Sequence, residues 1–253
     1  MAQVYFIGAG PGDPELLTIK GKRIIEQADV IIYADSLVNP EVCAFAKEGA
    51  EIHRSASLSL EEITGIIIEV VRQGKTVVRL QSGDPGIYGA IQEQMAILDE
   101  AGIDYEVVPG VSSLFAAAAS LKTELTVPRL SQSVIITRME GRTPVPAAES
   151  LRKLASHRAS MAVFLSVSMT ESVVAELIEG GYPSETPAAL VYRVSWEDET
   201  VVRTELKSLA EKVKALGIRK QTLILVGDFL ASKGKSVPSR LYDKEFRHGY
   251  RPS

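Results

Sequence analysis

One stretch near the start of the chain decides the fold: Val4-Tyr5-Phe6-Ile7-Gly8-Ala9-Gly10-Pro11-Gly12-Asp13. Its four leading apolar residues predict a buried strand, its glycine-rich part predicts a tight loop, and a helical pattern follows from about Thr18 to Ala28. Because ligands of open α/β sheets bind beyond the carboxyl ends of the strands, this loop is a candidate binding site. A dinucleotide fingerprint requires a third glycine where Asp13 stands, so we do not expect the loop to cradle a pyrophosphate.

The composition sets the broad class. The chain has 253 residues, enough for one large domain or two small ones, and its net charge of -4 disfavours a broad nucleic-acid-binding face. Cys43 is the only cysteine and the histidines (His53, His157 and His248) are scattered, so we expect neither a disulfide nor a metal site. The start carries no leader pattern and no apolar run reaches the roughly 18 residues of a transmembrane helix. We therefore expect a cytoplasmic protein without a membrane partner.

The first half of the chain repeats a strand–helix unit. Helices are predicted over Pro40–Ala46 and from Tyr88 to Ala101, between apolar strand patterns. Repeated units of this kind predict a mainly parallel sheet with helices on both faces. The polar segment Lys122–Arg129 changes this character, so we place a domain boundary there and predict domains at residues 1–121 and 122–253.

The second half predicts a different sheet. Strand patterns at Ala188–Arg193 and Thr200–Thr204 are separated by only a few residues. A parallel crossover needs a dozen or more residues, so these strands must form a hairpin. The fold class is therefore α/β with two α/β domains, the N-terminal sheet mainly parallel and the C-terminal sheet mixed.

Two further loops of the first half join the candidate site. Ser82–Gly89 and Pro109–Ser113 each follow an apolar strand, and the carboxyl ends of parallel strands share one edge of a sheet. Asp84 can accept a hydrogen bond from a ligand there, although a helix cap or a turn explains it equally well. Because the three loops share one edge of the sheet, together they indicate a ligand site more strongly than any one of the motifs does alone.

Three charged residues have both a functional and a structural interpretation. Arg138 and Arg142 lie in a loop after a strand, where they suit bidentate capture of carboxylates on a polycarboxylate ligand, or belong to a solvated loop. Asp35 lies just past a buried strand and suits a base or an orienting acceptor, or a cap or turn.

The loops together resemble those of a known family. Gly8–Asp13, Tyr33–Val38, Gly83–Gly89 and Pro109–Ser113 are similar, in sequence and order, to motifs of the tetrapyrrole methylases, which are S-adenosylmethionine-dependent methyltransferases. Thr137–Pro146 resembles more narrowly the branch that methylates C11 of precorrin-4 or cobalt-precorrin-4 in cobalamin biosynthesis, part of porphyrin and corrin metabolism. The similarity extends over nearly the whole chain.

The resemblance implies a site and partners. It implies a transferase that binds S-adenosyl-L-methionine in a cleft between two domains, releases S-adenosyl-L-homocysteine, acts on a tetrapyrrole and forms a homodimer. Pro11 would line the methyl site. Asp35 corresponds to the proton acceptor of uroporphyrinogen methyltransferases. Those enzymes also carry a lysine downstream as proton donor, whereas this chain has Ser55–Ser57 in that region and no lysine. Arg138 and Arg142 would hold substrate carboxylates. The implied cofactor contacts are Ser82, Gly83, Asp84, Ile87, Ser112, Ser113, Leu165, Val194 and Thr222.

Three alternatives remain open at this point. The chain can be a methylase of the same fold that acts on another precorrin, a protein side chain or ribosomal RNA, although its acidic charge disfavours RNA. It can be a nicotinamide-dependent oxidoreductase, which Asp13 disfavours. It can also be a tetrapyrrole carrier that catalyses nothing.

Overall fold

A computed structural model describes residues 3–231, 246, 247 and 249; His248 lies outside the described residues. The chain divides into two units, the first comprising Met1–Ala116 and Arg193–Asp198, the second Ala117–Tyr192 and Glu199–Ser253. The sequence placed residues 193–198 in the second domain. The structure groups them with the first unit because they bind the loop that follows its first strand.

The first unit is built on a parallel five-stranded sheet. Its strand order is β3-β2-β4-β1-β5, and every neighbouring pair is parallel, as the sequence predicted. The strands are β1 (Val4–Gly8), β2 (Val30–Tyr33), β3 (Glu51–Arg54), β4 (Val77–Gln81) and β5 (Tyr105–Val108). Because all five run the same way, the loops after β1, β4 and β5 emerge at one edge.

Helices cover both faces of this sheet. Successive strand residues point to opposite faces, and apolar side chains on each face pack against helices. Ile7 packs with Ile25 on one face, while Phe6 packs with Ile67 and Leu98 on the other. Burial of each such side chain contributes about 1.5–3 kcal/mol relative to exposure. The α-helices that begin in this unit are α1 (Ile19–Ile25), α2 (Leu60–Arg72), α3 (Gln92–Glu100) and α4 (Ser113–Ser120).

Two predicted helices differ from the prediction. The helix predicted over Pro40–Ala46 is a short 3-10 helix, Pro40–Phe45. The helix predicted from Tyr88 begins only at Gln92, because Tyr88 and Ala90 have φ angles of 55° and 49°, in the left-handed region that interrupts a right-handed helix. The residues between Gln81 and Gln92 therefore form a long loop at the carboxyl edge.

The second unit contains a mixed five-stranded sheet, which confirms the predicted sheet type. Its order is β6-β7-β10-β8-β9; β6 and β7 are parallel, and the other neighbouring pairs, including the predicted hairpin of β8 and β9, are antiparallel. The strands are β6 (Val134–Arg138), β7 (Ser160–Phe164), β8 (Pro187–Tyr192), β9 (Thr200–Glu205) and β10 (Thr222–Val226). The remaining α-helices are α5 (Leu151–Ala155), α6 (Thr170–Glu179) and α7 (Leu209–Ala215). Within the described residues, no helix is long and apolar enough to span a bilayer.

Candidate functional site

Three glycines bring the loops after β1, β4 and β5 into direct backbone contact. A Cβ atom on Gly8 would lie 2.5 Å from Gly110 Cα and 2.6 Å from the Gly83 carbonyl oxygen. A Cβ atom on Gly110 would lie 2.2 Å from that same oxygen. Side chains do not fit at such distances, so glycine is required for the approach. Gly10 and Gly83 also exchange backbone hydrogen bonds of 2.8 and 3.3 Å, which fix two of the loops to each other.

Asp84 links two of these loops through its carboxylate. Its Oδ1 accepts from the Gly86 N–H at 2.8 Å, and its Oδ2 accepts from the Gly110 N–H at 2.8 Å. Asp84 therefore has the turn-stabilising role that the sequence left open. Each carboxylate oxygen has a second lone pair, so the same group can still accept from a ligand.

The other cofactor residues predicted in this unit lie beside Asp84. Gly83 faces Ser112, since a Cβ on Gly83 would contact Ser112 Cα at 3.5 Å and the Ser113 nitrogen at 3.6 Å. Ser112 is buried, and its Oγ accepts from the Leu114 N–H at 3.3 Å. Ser82 and Ile87 are half-buried in the same loop as Asp84. The structure thus brings all six of these residues to one edge of the sheet.

The first loop differs from a phosphate-binding loop in its hydrogen bonding. The Asp13 side chain accepts from the Glu15 N–H at 2.8 Å and caps the 3-10 helix Pro14–Leu16. In a dinucleotide fold, the free N–H groups at the start of the helix bind the pyrophosphate. Here the Asp13 carboxylate occupies that position.

Three side chains that the sequence did not single out hold the first loop. Asn39 donates from Nδ2 to the Gly12 carbonyl at 3.0 Å, and Trp196 donates from Nε1 to the Pro11 carbonyl at 3.0 Å. Ser195 Oγ accepts from the Asp13 N–H at 2.9 Å. No local pattern signals contacts between residues more than 180 positions apart. The only available signal was that Trp196 is the single tryptophan of the chain.

Asp35 is exposed at the carboxyl end of β2. Its Oδ1 accepts from the Ala56 N–H at 2.9 Å, which ties the loop after β2 to the loop after β3. In the described part of the chain, its Oδ2 makes no hydrogen bond. The turn-stabilising interpretation therefore accounts for one oxygen and leaves the other for a ligand or a proton.

Two residues predicted in the second unit share one edge of its sheet. β7 and β10 are antiparallel neighbours, so the end of β7, which Leu165 follows directly, and the start of β10 at Thr222 lie at the same edge. Leu165 is 64% exposed and has a φ angle of 54°, unusual for an apolar side chain. Thr222 is buried and donates from Oγ1 to the Lys220 carbonyl at 3.0 Å. The third residue, Val194, is buried in the segment grouped with the first unit.

The two predicted substrate arginines have different surroundings. Arg138 is half-buried and donates to the carbonyls of Thr143 at 3.2 Å and Pro144 at 2.6 Å, so its guanidinium closes its own loop. Arg142 lies in that loop, is exposed, and makes no ion pair or hydrogen bond with another described residue. The structure therefore gives Arg138 a loop-shaping role and leaves the charge of Arg142 available.

A buried polar group that the sequence did not single out lies in β4. The guanidinium of Arg79 contacts only neutral acceptors among the described residues, Gln94 Oε1 at 3.3 Å and the Ile32 and Leu80 carbonyls at 3.4 Å. Burial without a counter-ion lowers the pKa of Arg79 to about 10. Keeping the Arg79 guanidinium charged in this buried position therefore costs free energy.

Comparison with known proteins gives a consistent result. A family profile described as Tetrapyrrole (Corrin/Porphyrin) Methylases matches residues 3–210. The chain is 60% identical over 251 residues to a protein of Methanocaldococcus jannaschii named cobalt-precorrin-4 C(11)-methyltransferase, covering 99% of this chain and 96% of that protein.

Solved structures are similar over most of the chain. The X-ray structure of a cobalamin biosynthetic enzyme, cobalt precorrin-4 methyltransferase, is 51% identical with a TM-score of 0.88, covering 90% of this chain and 95% of that one. Uroporphyrin-III C-methyl transferase from Thermus thermophilus, complexed with S-adenyl homocysteine, is 31% identical with a TM-score of 0.77, covering 90% and 93%. Sequence, fold and the three-loop geometry agree, and the chain belongs to the tetrapyrrole (corrin/porphyrin) methylases, a family of methyltransferases.

Proposed function

We propose that this protein transfers a methyl group from S-adenosyl-L-methionine to C11 of precorrin-4, with the cobalt-containing form as its natural substrate, in cobalamin biosynthesis. The relative with 60% identity over 99% of the chain bears that activity in its name, and so does the structure with 51% identity. The observation in this chain that carries the proposal is the backbone contact of Gly8, Gly83 and Gly110. It builds a narrow, rigid edge from the same loops that carry the family's motifs.

The residues at this edge fit the proposed cofactor. Loops 8–13, 82–89 and 109–113 contain no lysine or arginine, and they offer backbone groups, serine hydroxyls and the carboxylate of Asp84. Such a set suits a cationic sulfonium compound and is unsuited to a polyphosphate, which needs positive charge or free helix N–H groups. When bound, S-adenosyl-L-methionine supplies a methyl group already activated by the positive sulfur.

The chain's own contribution is alignment. Transfer of an activated methyl group to an electron-rich ring carbon requires the reacting atoms to stand about 3–3.5 Å apart and in line. The glycine contacts, the Gly10–Gly83 hydrogen bonds and the Asp84 bridge hold three loops in one arrangement, so little rearrangement is left for the reaction step. Pro11, in the first of these loops, is proposed to line the methyl site.

Asp35 is proposed to accept the proton that the ring loses after methylation. Its Oδ1 is fixed by the Ala56 N–H, which orients the carboxylate, and its Oδ2 makes no hydrogen bond to a described residue. The carboxylate therefore has a defined direction and a free lone pair. Arg142 is proposed to bind a substrate carboxylate, and Arg138 to shape the loop that presents it.

Leu165, Val194 and Thr222 remain proposed cofactor contacts. Leu165 and Thr222 lie at the same edge of the second sheet, and the exposed, left-handed Leu165 is the feature that supports a ligand there. A homodimer in the cytoplasm is proposed from the resemblance to the family. Light scattering of the purified protein tests the dimer: a mass of one chain of 27.4 kDa would contradict it.

Mass spectrometry tests the proposed reaction. Purified protein is incubated with S-adenosyl-L-methionine and either metal-free or cobalt-loaded precorrin-4. We expect the cobalt-loaded substrate to gain one methyl group, faster than the metal-free one. A gain on the metal-free substrate alone would correct the substrate, and a gain on neither would overturn the proposed function.

A further inference from the structure

The single tryptophan of the chain packs directly on the first glycine-rich loop. Trp196 donates from Nε1 to the Pro11 carbonyl at 3.0 Å. Its ring lies where a side chain of residue 12 would be: a Cβ on Gly12 would stand 2.2 Å from Trp196 Cδ1 and 2.5 Å from Nε1. Gly12 is therefore required for the indole to lie against the backbone, and the indole covers the residue next to Pro11.

The segment around Trp196 is held in place by several independent contacts. The Arg193 guanidinium lies 4.1 Å from the centroid of the indole ring, and its Nη1 is 2.9 Å from Asp198 Oδ2. Ser195 Oγ accepts from the Asp13 N–H at 2.9 Å. Arg193 and Ser195 have φ angles of 44° and 62°, an unfavourable region for residues with side chains. A conformation of this kind persists only where its surroundings hold it, which is a common feature of functional sites.

These contacts fix the two ends of the Pro11–Asp13 peptide segment. Trp196 holds the carbonyl of Pro11, and Ser195 holds the N–H of Asp13. Proline has a restricted φ angle, and a hydrogen bond to its carbonyl sets the orientation of the peptide that follows it. The Trp196 indole thus sets the orientation of the Pro11 carbonyl, while Asn39 holds the next carbonyl, that of Gly12.

We propose that Trp196 is a positioning residue for methyl transfer, which acts by holding the Pro11 carbonyl and thereby the wall beside the transferred methyl group. This inference rests on the proposed function and assigns it a residue outside the family's loop motifs. The proposed cofactor contacts in this unit lie on the loops after β4 and β5, and on the neighbouring Val194. Loss of the Trp196 hydrogen bond should therefore change the rate of methyl transfer far more than it changes cofactor affinity.

The test compares two substitutions that each remove one hydrogen bond to a carbonyl and keep an aromatic ring. Trp196→Phe removes the N–H that binds Pro11. Tyr182→Phe, the matched control, removes a hydroxyl that donates to the Ala159 carbonyl at 2.6 Å in the core of the second unit. For each purified protein, kcat with precorrin-4, the Kd for S-adenosyl-L-homocysteine and the Tm are measured.

We expect Trp196→Phe to lower kcat by about tenfold or more, since misplacement of reacting groups by 1 Å costs about 100-fold. The Kd for S-adenosyl-L-homocysteine should change less than threefold. Tyr182→Phe should lower the Tm and leave kcat unchanged. Equal losses of kcat in both variants, or a wild-type kcat in Trp196→Phe, would overturn the inference while the proposed function stands. A wild-type protein that methylates neither form of precorrin-4 would overturn the proposed function and this inference with it.

Hydrogen exchange and tryptophan fluorescence give two further tests of the same contact. Hydrogen exchange of the peptide that covers residues 8–13 should be faster in Trp196→Phe than in wild type, and unchanged in Tyr182→Phe. In the wild type, acrylamide should quench Trp196 less than it quenches free tryptophan, because the indole lies against Gly12. Unchanged exchange in Trp196→Phe, or quenching as efficient as that of the free amino acid, would contradict the contact itself.

Discussion

Replacing Gly110 with alanine tests the three-loop contact that underlies the proposed site. The new Cβ atom would stand 2.2 Å from the Gly83 carbonyl oxygen and 2.7 Å from Gly8 Cα. Cβ atoms in proteins do not approach other heavy atoms closer than about 3.0 Å, so the Gly83 carbonyl must move by about 0.8 Å, from 2.2 Å to at least 3.0 Å. Both neighbours are backbone atoms of buried residues, so no side chain can turn aside to relieve the overlap.

The expected cost follows from the rigidity of these surroundings. Overpacking in a well-packed region costs typically about 1–3 kcal/mol. Because the Gly110 N–H also binds Asp84, the shift strains that bond too, and we expect about 3 kcal/mol of lost stability. For a chain of this length that corresponds to a Tm lowered by roughly 6–12 °C. A displacement of nearly 1 Å at the loops should lower kcat by about 100-fold.

Thermal unfolding and the methyl-transfer rate are measured for Gly110→Ala beside a matched control, Gly65→Ala. Gly65 lies within α2, where an added Cβ would meet nothing within 4 Å. Alanine is favoured over glycine in a helix by about 0.5–1 kcal/mol, so the control should be slightly more stable and fully active. A Gly110→Ala protein with wild-type Tm and kcat would refute the claim that the loops touch through their backbones.

Three further substitutions test single residues. Asp35→Asn keeps the acceptor for the Ala56 N–H and removes the basic oxygen, so kcat should fall at least tenfold with an unchanged Tm; an unchanged kcat would remove Asp35 as the proton acceptor. Arg79→Met should keep or raise the free energy of unfolding at pH 7, because burial without a counter-ion disfavours the charged guanidinium and lowers the pKa of Arg79 to about 10. The wild type should gain stability as the pH rises above about 10, where the unfolded chain still binds the proton that the folded chain releases; a loss above 2 kcal/mol in Arg79→Met would contradict this explanation. Arg142→Ala should raise the KM for the tetrapyrrole about two- to fivefold, as expected for an exposed ion pair, while Arg72→Ala, at the exposed end of α2, should leave it unchanged; equal KM values would remove Arg142 from substrate binding.

Local patterns predicted the parts of the fold that local physics determines. The apolar run before Gly8 predicted a buried parallel strand, and the short link before Thr200 required a hairpin, because chain length alone forbids a crossover there. The glycine-rich residues after Ile7 predicted a tight loop at the end of this strand, and the loop is there, with Asp13 capping the 3-10 helix that follows. Each of these predictions depended on residues within about ten positions of one another.

The missed features depend on distant residues. The left-handed angles of Tyr88 and Ala90 shortened a predicted helix, although neither residue type favours such angles, because tertiary packing overrides local preference there. The pairing of Asp84 with Gly110, and of Trp196 with Pro11, joins residues 26 and 185 positions apart. A single sequence carries no periodic signal for such pairs, so their roles became visible only in the folded chain.

The central claim is methyl transfer to one carbon of a tetrapyrrole, and an isotope experiment tests it most directly. The purified protein is incubated with cobalt-precorrin-4 and S-adenosyl-L-methionine carrying a 13C-labelled methyl group, and the product is examined by NMR. We predict one new labelled methyl signal, coupled to C11 of the macrocycle, in the wild type and a strongly reduced signal in Gly110→Ala. A label at another ring carbon, or a tetrapyrrole that stays unlabelled while the cofactor binds, would contradict the account.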